Sequence, residues 1–257
     1  MWTALLLVAT AGVAISVVYV LGHQPKVKGA GSTPGFVATT SSSSTPAPSS
    51  STHSSASASP SGHSSSSTSS SVPKGPDIAF LGDDYTIGLG ATVTAQGFTA
   101  LIGTTLNVSE KSVGSNGAGY ATSGSGGQTY EQEVAAVVAL DPKVVVVTGG
   151  RNDYLANDGS SVAAAAKTLF TSLRSKLPHA KIVVVSSFFG DSDHPAPLDA
   201  IDTDVKNAAT AAGADYINLP DPLHGHPEWM ANAAVPNNAG YQAIAAALGP
   251  KLQQYLS

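Results

Sequence analysis

The chain has 257 residues, 42% of them hydrophobic and only 11% charged, with a net charge of −5. That charge is unevenly divided: residues 1–76 carry three lysines and no acid, and residues 77–257 carry 9 Lys/Arg and all 17 Asp/Glu. An acidic globular part excludes a nucleic-acid partner, because neutralising phosphates needs clustered Lys and Arg. The absence of cysteine excludes disulfide scaffolds, thiolate metal sites and cysteine nucleophiles.

Trp2 to Leu21 is 20 residues without a charge. As a helix it would span about 30 Å, the thickness of a bilayer core. A cleaved signal peptide is the rival reading. It normally follows a basic stretch and ends in a small-residue cleavage site, and neither is present here. Residues 1–22 are therefore expected to be an uncleaved membrane anchor. Lys26 and Lys28 follow the span and weakly favour a cytoplasmic location for what comes after it. The next segment argues the other way. Residues 23–76 are dominated by Ser, Thr, Pro, Ala and Gly, a composition that cannot bury enough surface to offset the entropy of ordering. Such tracts are common in extracytoplasmic stalks. The expectation is a disordered linker holding a single-pass, extracytoplasmic domain near the membrane.

Residues 77–257 are long enough for one domain with a sizeable core. Asp77–Leu81 reads as a buried strand ending at a glycine. Ala95–Leu106 is compatible with a helix, and Asn107–Val113 with a weaker strand. Tyr130–Leu140 has helical spacing, with acids in its first turn where the helix dipole favours them. Lys143–Thr148 is an unbroken β-branched run, typical of a parallel strand covered on both faces. A helix over Ser161–Leu177, a strand over Lys181–Ser186, a helix over Leu198–Ala212 and a strand over Asp215–Leu219 follow. Asn238–Leu256 closes the chain as a helix. Five strands alternating with helices predict a three-layer α/β/α sandwich with a five-stranded parallel sheet. In such sheets a site forms outside the carboxyl ends of the strands. Four loops lie there: Gly82–Gly90, Gly114–Gly127, Gly149–Tyr154 and Asp221–Gly240. None of their junctions carries a glycine-rich phosphate motif, so no nucleotide cofactor is expected.

These loops carry four ordered segments: FLGDDYTIG from Phe80, VGSNGAGY from Val113, GGRND from Gly149 and VPNNAGYQAIA from Val235. Together they resemble the conserved blocks of the SGNH/GDSL hydrolases, in order and over nearly all of residues 77–257. The resemblance implies that family's flavodoxin-like fold. It also implies a serine nucleophile in the first block, and a histidine base in the last with an acid three residues before it. A block-two glycine N–H and the block-three asparagine would form the oxyanion hole.

Carried over residue by residue, Asp84 stands at the serine position, Val235 at the histidine and Asn232 at the acid. The oxyanion-hole positions, Gly117 or Gly119 and Asn152, are retained. Valine cannot accept a proton, and a carboxylate puts negative charge where an oxyanion must form. The expectation is a degenerate hydrolase acting as a binding or scaffolding module, for glycan or an acylated polymer at the cell envelope. Asp84 itself would then accept the hole's hydrogen bonds. The alternative is an active esterase or acyl-transfer enzyme in which Asp84 works with His224 or His226, beside Asp221. A metal site from His224, His226 and Glu228 with Asp84 or Asp221 is a third arrangement, although no metal is expected. Asp191, Asp193 and His194 invite the same thought and are set aside because their loop is proline-rich. Tyr85, Tyr120, Tyr154 and Trp229 lie in or beside the site loops; such faces suit a sugar, although aromatics at these places more often serve packing. Arg151 could pair with Asp84 or with an anionic ligand.

Overall fold

The structure is a computed structural model that describes residues 75–257. The expected anchor, and the linker up to residue 74, fall outside the described residues. Among the described residues, no helix is long and apolar enough to cross a membrane.

Five parallel strands, β1 (Ile78–Gly82), β2 (Glu110–Gly114), β3 (Val144–Thr148), β4 (Lys181–Val185) and β5 (Asp215–Ile217), form one sheet in the order β2-β1-β3-β4-β5. The helices are α1 (Phe98–Leu106), α2 (Tyr130–Leu140), α3 (Arg151–Leu155), α4 (Gly159–Lys176), α5 (Ala196–Ala211) and α6 (Asn238–Leu252). Side chains alternate between the two faces of a strand, and here both faces are covered. Ala79, Leu81, Val145, Val147, Ile182 and Val184 pack with α2, α4 and α5. Ile78, Phe80, Val144, Val146, Val183 and Val185 pack with α1 and α6. Continuous apolar runs therefore suit β1, β3 and β4. Each fully buried valine or leucine contributes about 1.5–3 kcal/mol.

All the expected strands and long helices form, with shifted ends. Asn107 turns left-handed, with φ 53°, which stops α1 and delays β2 to Glu110. α2 starts where expected because the Thr129 N–H donates to Gln132 Oε1 at 2.9 Å, half of a capping box. α6 starts at Asn238, where the side chain of Asn237 accepts from the Ala239 and Gly240 N–H groups. The short α3 was expected as plain loop.

Candidate functional site

β1 ends at Gly82, and the chain turns immediately to place Asp83 and Asp84 at the carboxyl edge of the sheet. Both are buried. Asp83 accepts the Tyr85 N–H at 3.1 Å, which tightens the turn. Thr86 and Thr148 share a hydroxyl hydrogen bond of 2.8 Å that ties the same turn to the end of β3. Burial, and then the neighbouring Asp84 charge, push the Asp83 carboxyl up to about 7.

Asp84 takes two hydrogen bonds. The Gly117 N–H donates to its Oδ1 at 2.8 Å, and the Asn152 amide donates to its Oδ2 at 3.1 Å. The same amide donates to Ala118 O at 2.9 Å, so both of its protons are used. Gly117, with φ 79°, occupies the left-handed region that aims its N–H inward. The Gly119 N–H is spent on Thr122 O at 2.9 Å, so of the two glycines Gly117 faces Asp84.

Asp153 holds this loop. Its fully buried carboxylate accepts from the N–H groups of Tyr120, Ala121 and Thr122 at 2.8–3.0 Å. Burial raises its pKa, and those three donors oppose the rise. A side chain on Gly119 would collide with the Asp153 carboxylate.

The other two positions that the resemblance assigns to the triad, 235 and 232, hold side chains without an ionisable group. Val235 is buried among Tyr85, Phe188 and the residues of α6. Asn232 caps its own turn, accepting from the Ala234 and Val235 N–H groups at 2.8 and 3.2 Å.

His224 pairs with Asp193 at 2.8 Å, and His226 pairs with Glu228 at 2.9 Å while stacking on Trp229 at 3.7 Å. Neither imidazole is hydrogen-bonded to Asp84. Asp221 accepts the backbone N–H groups of Phe189 and Leu223. Among the described residues no three His, Asp or Glu side chains gather as metal ligands, so the His224, His226 and Glu228 arrangement does not form.

Two of the four aromatics take the packing role rather than the sugar-facing one. Tyr120 and Tyr85 point into the core at 2% and 3% exposure and offer no ligand platform. Their rings pack on Tyr130 and Phe188 because each lies at the inner side of its loop. Tyr154 packs on Phe189 and stays half-buried. Arg151 makes no ion pair with Asp84. Its guanidinium lies 6.0 Å from the Tyr85 ring and 5.8 Å from the Phe189 ring.

A family model described as GDSL-like lipase/acylhydrolase matches residues 80–243. The chain belongs to that family. This GDSL domain is 28% identical over 193 residues to a GDSL lipase of Mycobacterium tuberculosis, covering 70% of the chain and 82% of the relative. Among solved structures it resembles a family two carbohydrate esterase from Clostridium thermocellum in complex with cellohexaose. There the TM-score is 0.54 and the identity 21%, over 72% of this chain and 66% of that one. It also resembles a putative GDSL-like lipase from Bacteroides ovatus, with TM-score 0.59, identity 13%, and 72% and 54% coverage. The chain thus spans less than two thirds of either structure. At these identities the two structures speak for the shared SGNH-like fold.

Sequence reasoning missed a second cluster at the end of β4. Ser187 Oγ lies 3.2 Å from His194 Nε2 and 2.9 Å from Asp202 Oδ1. His194 Nδ1 lies 2.8 Å from Asp199 Oδ1. The histidine was visible in the sequence. Its serine lies upstream at the end of β4 and its acid downstream in the first turn of α5, so only the fold joins them.

Proposed function

We propose that this GDSL domain binds, rather than cleaves, a ligand at the family's site, and that residues 2–21 tether it to a membrane with the domain extracytoplasmic. One observation supports this most. The Asp84 carboxylate takes the hydrogen bonds of Gly117 and Asn152, the two groups that in the family face an oxyanion. A fixed negative charge there repels the transition state of acyl transfer. Val235 then leaves no base to activate a nucleophile. The ligand class we assign is a glycan or acylated polymer of the cell envelope. The half-buried Trp229 and Tyr154 supply apolar faces beside polar edges, and the Clostridium relative was solved with a cello-oligosaccharide.

The test is covalent. The full chain and its Asp84→Ser/Asn232→Asp/Val235→His variant are treated with a fluorophosphonate, and the peptide containing residue 84 is mapped by mass spectrometry. The variant is expected to carry the label there and the native chain to carry none. An acyl or phosphonyl adduct on native Asp84 would overturn the proposal. Calorimetry with acetylated and unacetylated xylo-oligosaccharides tests the ligand class, and no heat from either at millimolar concentration removes the glycan assignment.

A further inference from the structure

Charge is divided between the two ends of the sheet. The carboxyl end, where Asp84 lies, also carries Asp153, Asp158, Asp199, Asp221 and Glu228. The stretch from 159 to 190 runs without an acid and carries Lys167, Arg174, Lys176 and Lys181. α4 returns from the site end, so Lys176 in its last turn and Lys181 at the start of β4 lie at the amino end of the sheet. At that end Asp77 is paired with Lys143 at 2.7 Å, and Glu110, Asp141 and Asp215 are outnumbered by Lys111, Arg174, Lys176, Lys181 and Lys251. Arg174 donates to the carbonyls of Ala180, Ala212 and Gly213, which holds it in place without cancelling its charge. Lys167, Lys176 and Lys181 are exposed and form no ion pair among the described residues. The exposed face of α4 bears a groove of about 630 Å³, lined by Lys167, Thr168, Thr171, Ser172, Ser175 and Lys176 among others. Residues at i and i+4 are neighbours on a helix, so Lys167, Thr171 and Ser175 form one row and Thr168, Ser172 and Lys176 the next. Two hydroxyls are engaged: Thr168 Oγ1 donates to Ala164 O at 3.0 Å, and Ser172 Oγ to Glu131 Oε1 at 3.4 Å. Glu131 is the acid that borders the groove, one carboxylate against two lysines.

We propose that this face of α4, with Lys181 beside its end, docks on anionic lipid headgroups of the membrane that anchors the chain. This docking rests on the tether proposed above for residues 2–21. The described chain enters at residue 75, just before the amino end of β1, so the tether joins the domain at the end that carries Lys176 and Lys181. A headgroup phosphate accepts from lysine ammonium groups and from serine and threonine hydroxyls, which is what the groove offers. Lys167 and Lys176 are nine residues apart, about 13 Å along the axis, so each meets its own headgroup. The domain as a whole is acidic, and an anionic surface would repel it if every charge counted equally. Salt decides otherwise, because the Debye length is about 8 Å at physiological ionic strength. Asp158, at the start of α4, already stands nine residues or about 13 Å from Lys167, and the other acids of the site end lie beyond that helix start. The face in contact therefore outweighs the distant end. A few lysines make a weak contact by themselves. The tether makes it count, because it holds the domain at roughly millimolar effective concentration over the surface. Docked in this way, the domain keeps its carboxyl-end loops clear of the headgroups.

The experiment uses the full chain in vesicles of phosphatidylcholine, with or without about 30% phosphatidylglycerol, each doped with a lipid carrying a nitroxide on its headgroup. The native sequence has no cysteine, so Ala163→Cys carries a bimane one turn before Lys167, and Ser192→Cys carries it in the loop after β4. Phosphatidylglycerol is expected to bring nitroxide quenching at residue 163 and not at 192, and 1 M salt, where the Debye length is about 3 Å, is expected to remove it. Each lysine is expected to contribute about fivefold to the docking equilibrium, so Lys167→Gln/Lys176→Gln should lower it about 25-fold. Quenching at 163 that ignores phosphatidylglycerol, or that survives the double substitution, overturns the docking. Flotation with the neutral vesicles checks the tether separately. A chain left in the soluble fraction ends both readings, whereas a chain that floats without quenching at 163 ends the docking alone. If soluble poly(glycerol phosphate) shifts the bimane emission at 163 and phosphatidylglycerol brings no quenching, the partner is an anionic polymer and the lipid assignment falls.

Discussion

The side-chain amide of Asn152 bridges Asp84 Oδ2 at 3.1 Å and the Ala118 carbonyl at 2.9 Å, which joins the ends of β1 and β3 to the glycine loop between them. Removing the carboxylate therefore strands more than one group. Asp84→Ala leaves the Gly117 N–H and one Asn152 proton unpaired in a site that is 6% exposed at residue 84. The expected loss is about 1–3 kcal/mol in urea unfolding. Asp84→Asn keeps one acceptor and should lose less. Equal losses for both variants would show that the hydrogen bonds are not what the carboxylate contributes.

Asp83 makes stability depend on pH. Its pKa in the fold is raised from 3.8 to about 7, so the folded chain binds a proton that the unfolded chain has released. The stability this adds is fully present below the unfolded value and is lost as pH rises to about 7. Asp153, Asp202 and Asp221 are also raised by burial and work in the same direction. Asp77 is held low by Lys143 and Ser109, and its contribution is instead lost in strong acid. Asp83→Asn should stay folded, because its side-chain oxygen can still accept the Tyr85 N–H. Its Tm should fall less than the native Tm between pH 4 and 7. Parallel Tm curves for the two proteins would rule this out.

How much of this was legible in the sequence depended on whether the signal was local. β3 and β4 were readable because burial on both faces demands unbroken β-branched runs. α2 was readable because its helical spacing carries acids in the first turn. α3 was not, because five residues within a Gly-Asn block show no period. The assignment of 84, 232 and 235 to triad positions rests on flanking residues alone. The inward turn of Tyr85 and Tyr120 could not be read, since nothing near them in sequence says which side of a loop faces the core. The Ser187, His194 and Asp199 contacts span a loop and a helix start, and no single segment displays them.

Gly117 tests the backbone side of the site. Its φ of 79° costs a residue with a side chain about 1–2 kcal/mol. Space is not the obstacle, since an added Cβ would meet nothing nearer than Gly124 Cα at 3.9 Å. Gly117→Ala should therefore lose stability by that amount through conformation alone. The amide proton of residue 117 should also shift upfield by NMR as its hydrogen bond to Asp84 lengthens. A variant as stable as the native protein would show that the loop adopts a different conformation.

Val235 tests whether the family's geometry persists beneath its altered chemistry. The residue is 5% exposed and packs among apolar side chains, so Val235→His alone buries an imidazole without a partner. That should cost about 1–3 kcal/mol. Asp84→Ser alone removes a buried carboxylate but leaves a shorter acceptor for Gly117 and Asn152. If the family register holds, the two new side chains face each other, and a hydroxyl-to-imidazole hydrogen bond repays part of both losses. The double variant should then be more stable than the sum of the single losses predicts, by about 0.5–3 kcal/mol in a double-mutant cycle. Strict additivity would mean that residues 84 and 235 no longer meet. The Asp84→Ser/Asn232→Asp/Val235→His variant would then fail to take label for a geometric reason rather than a chemical one.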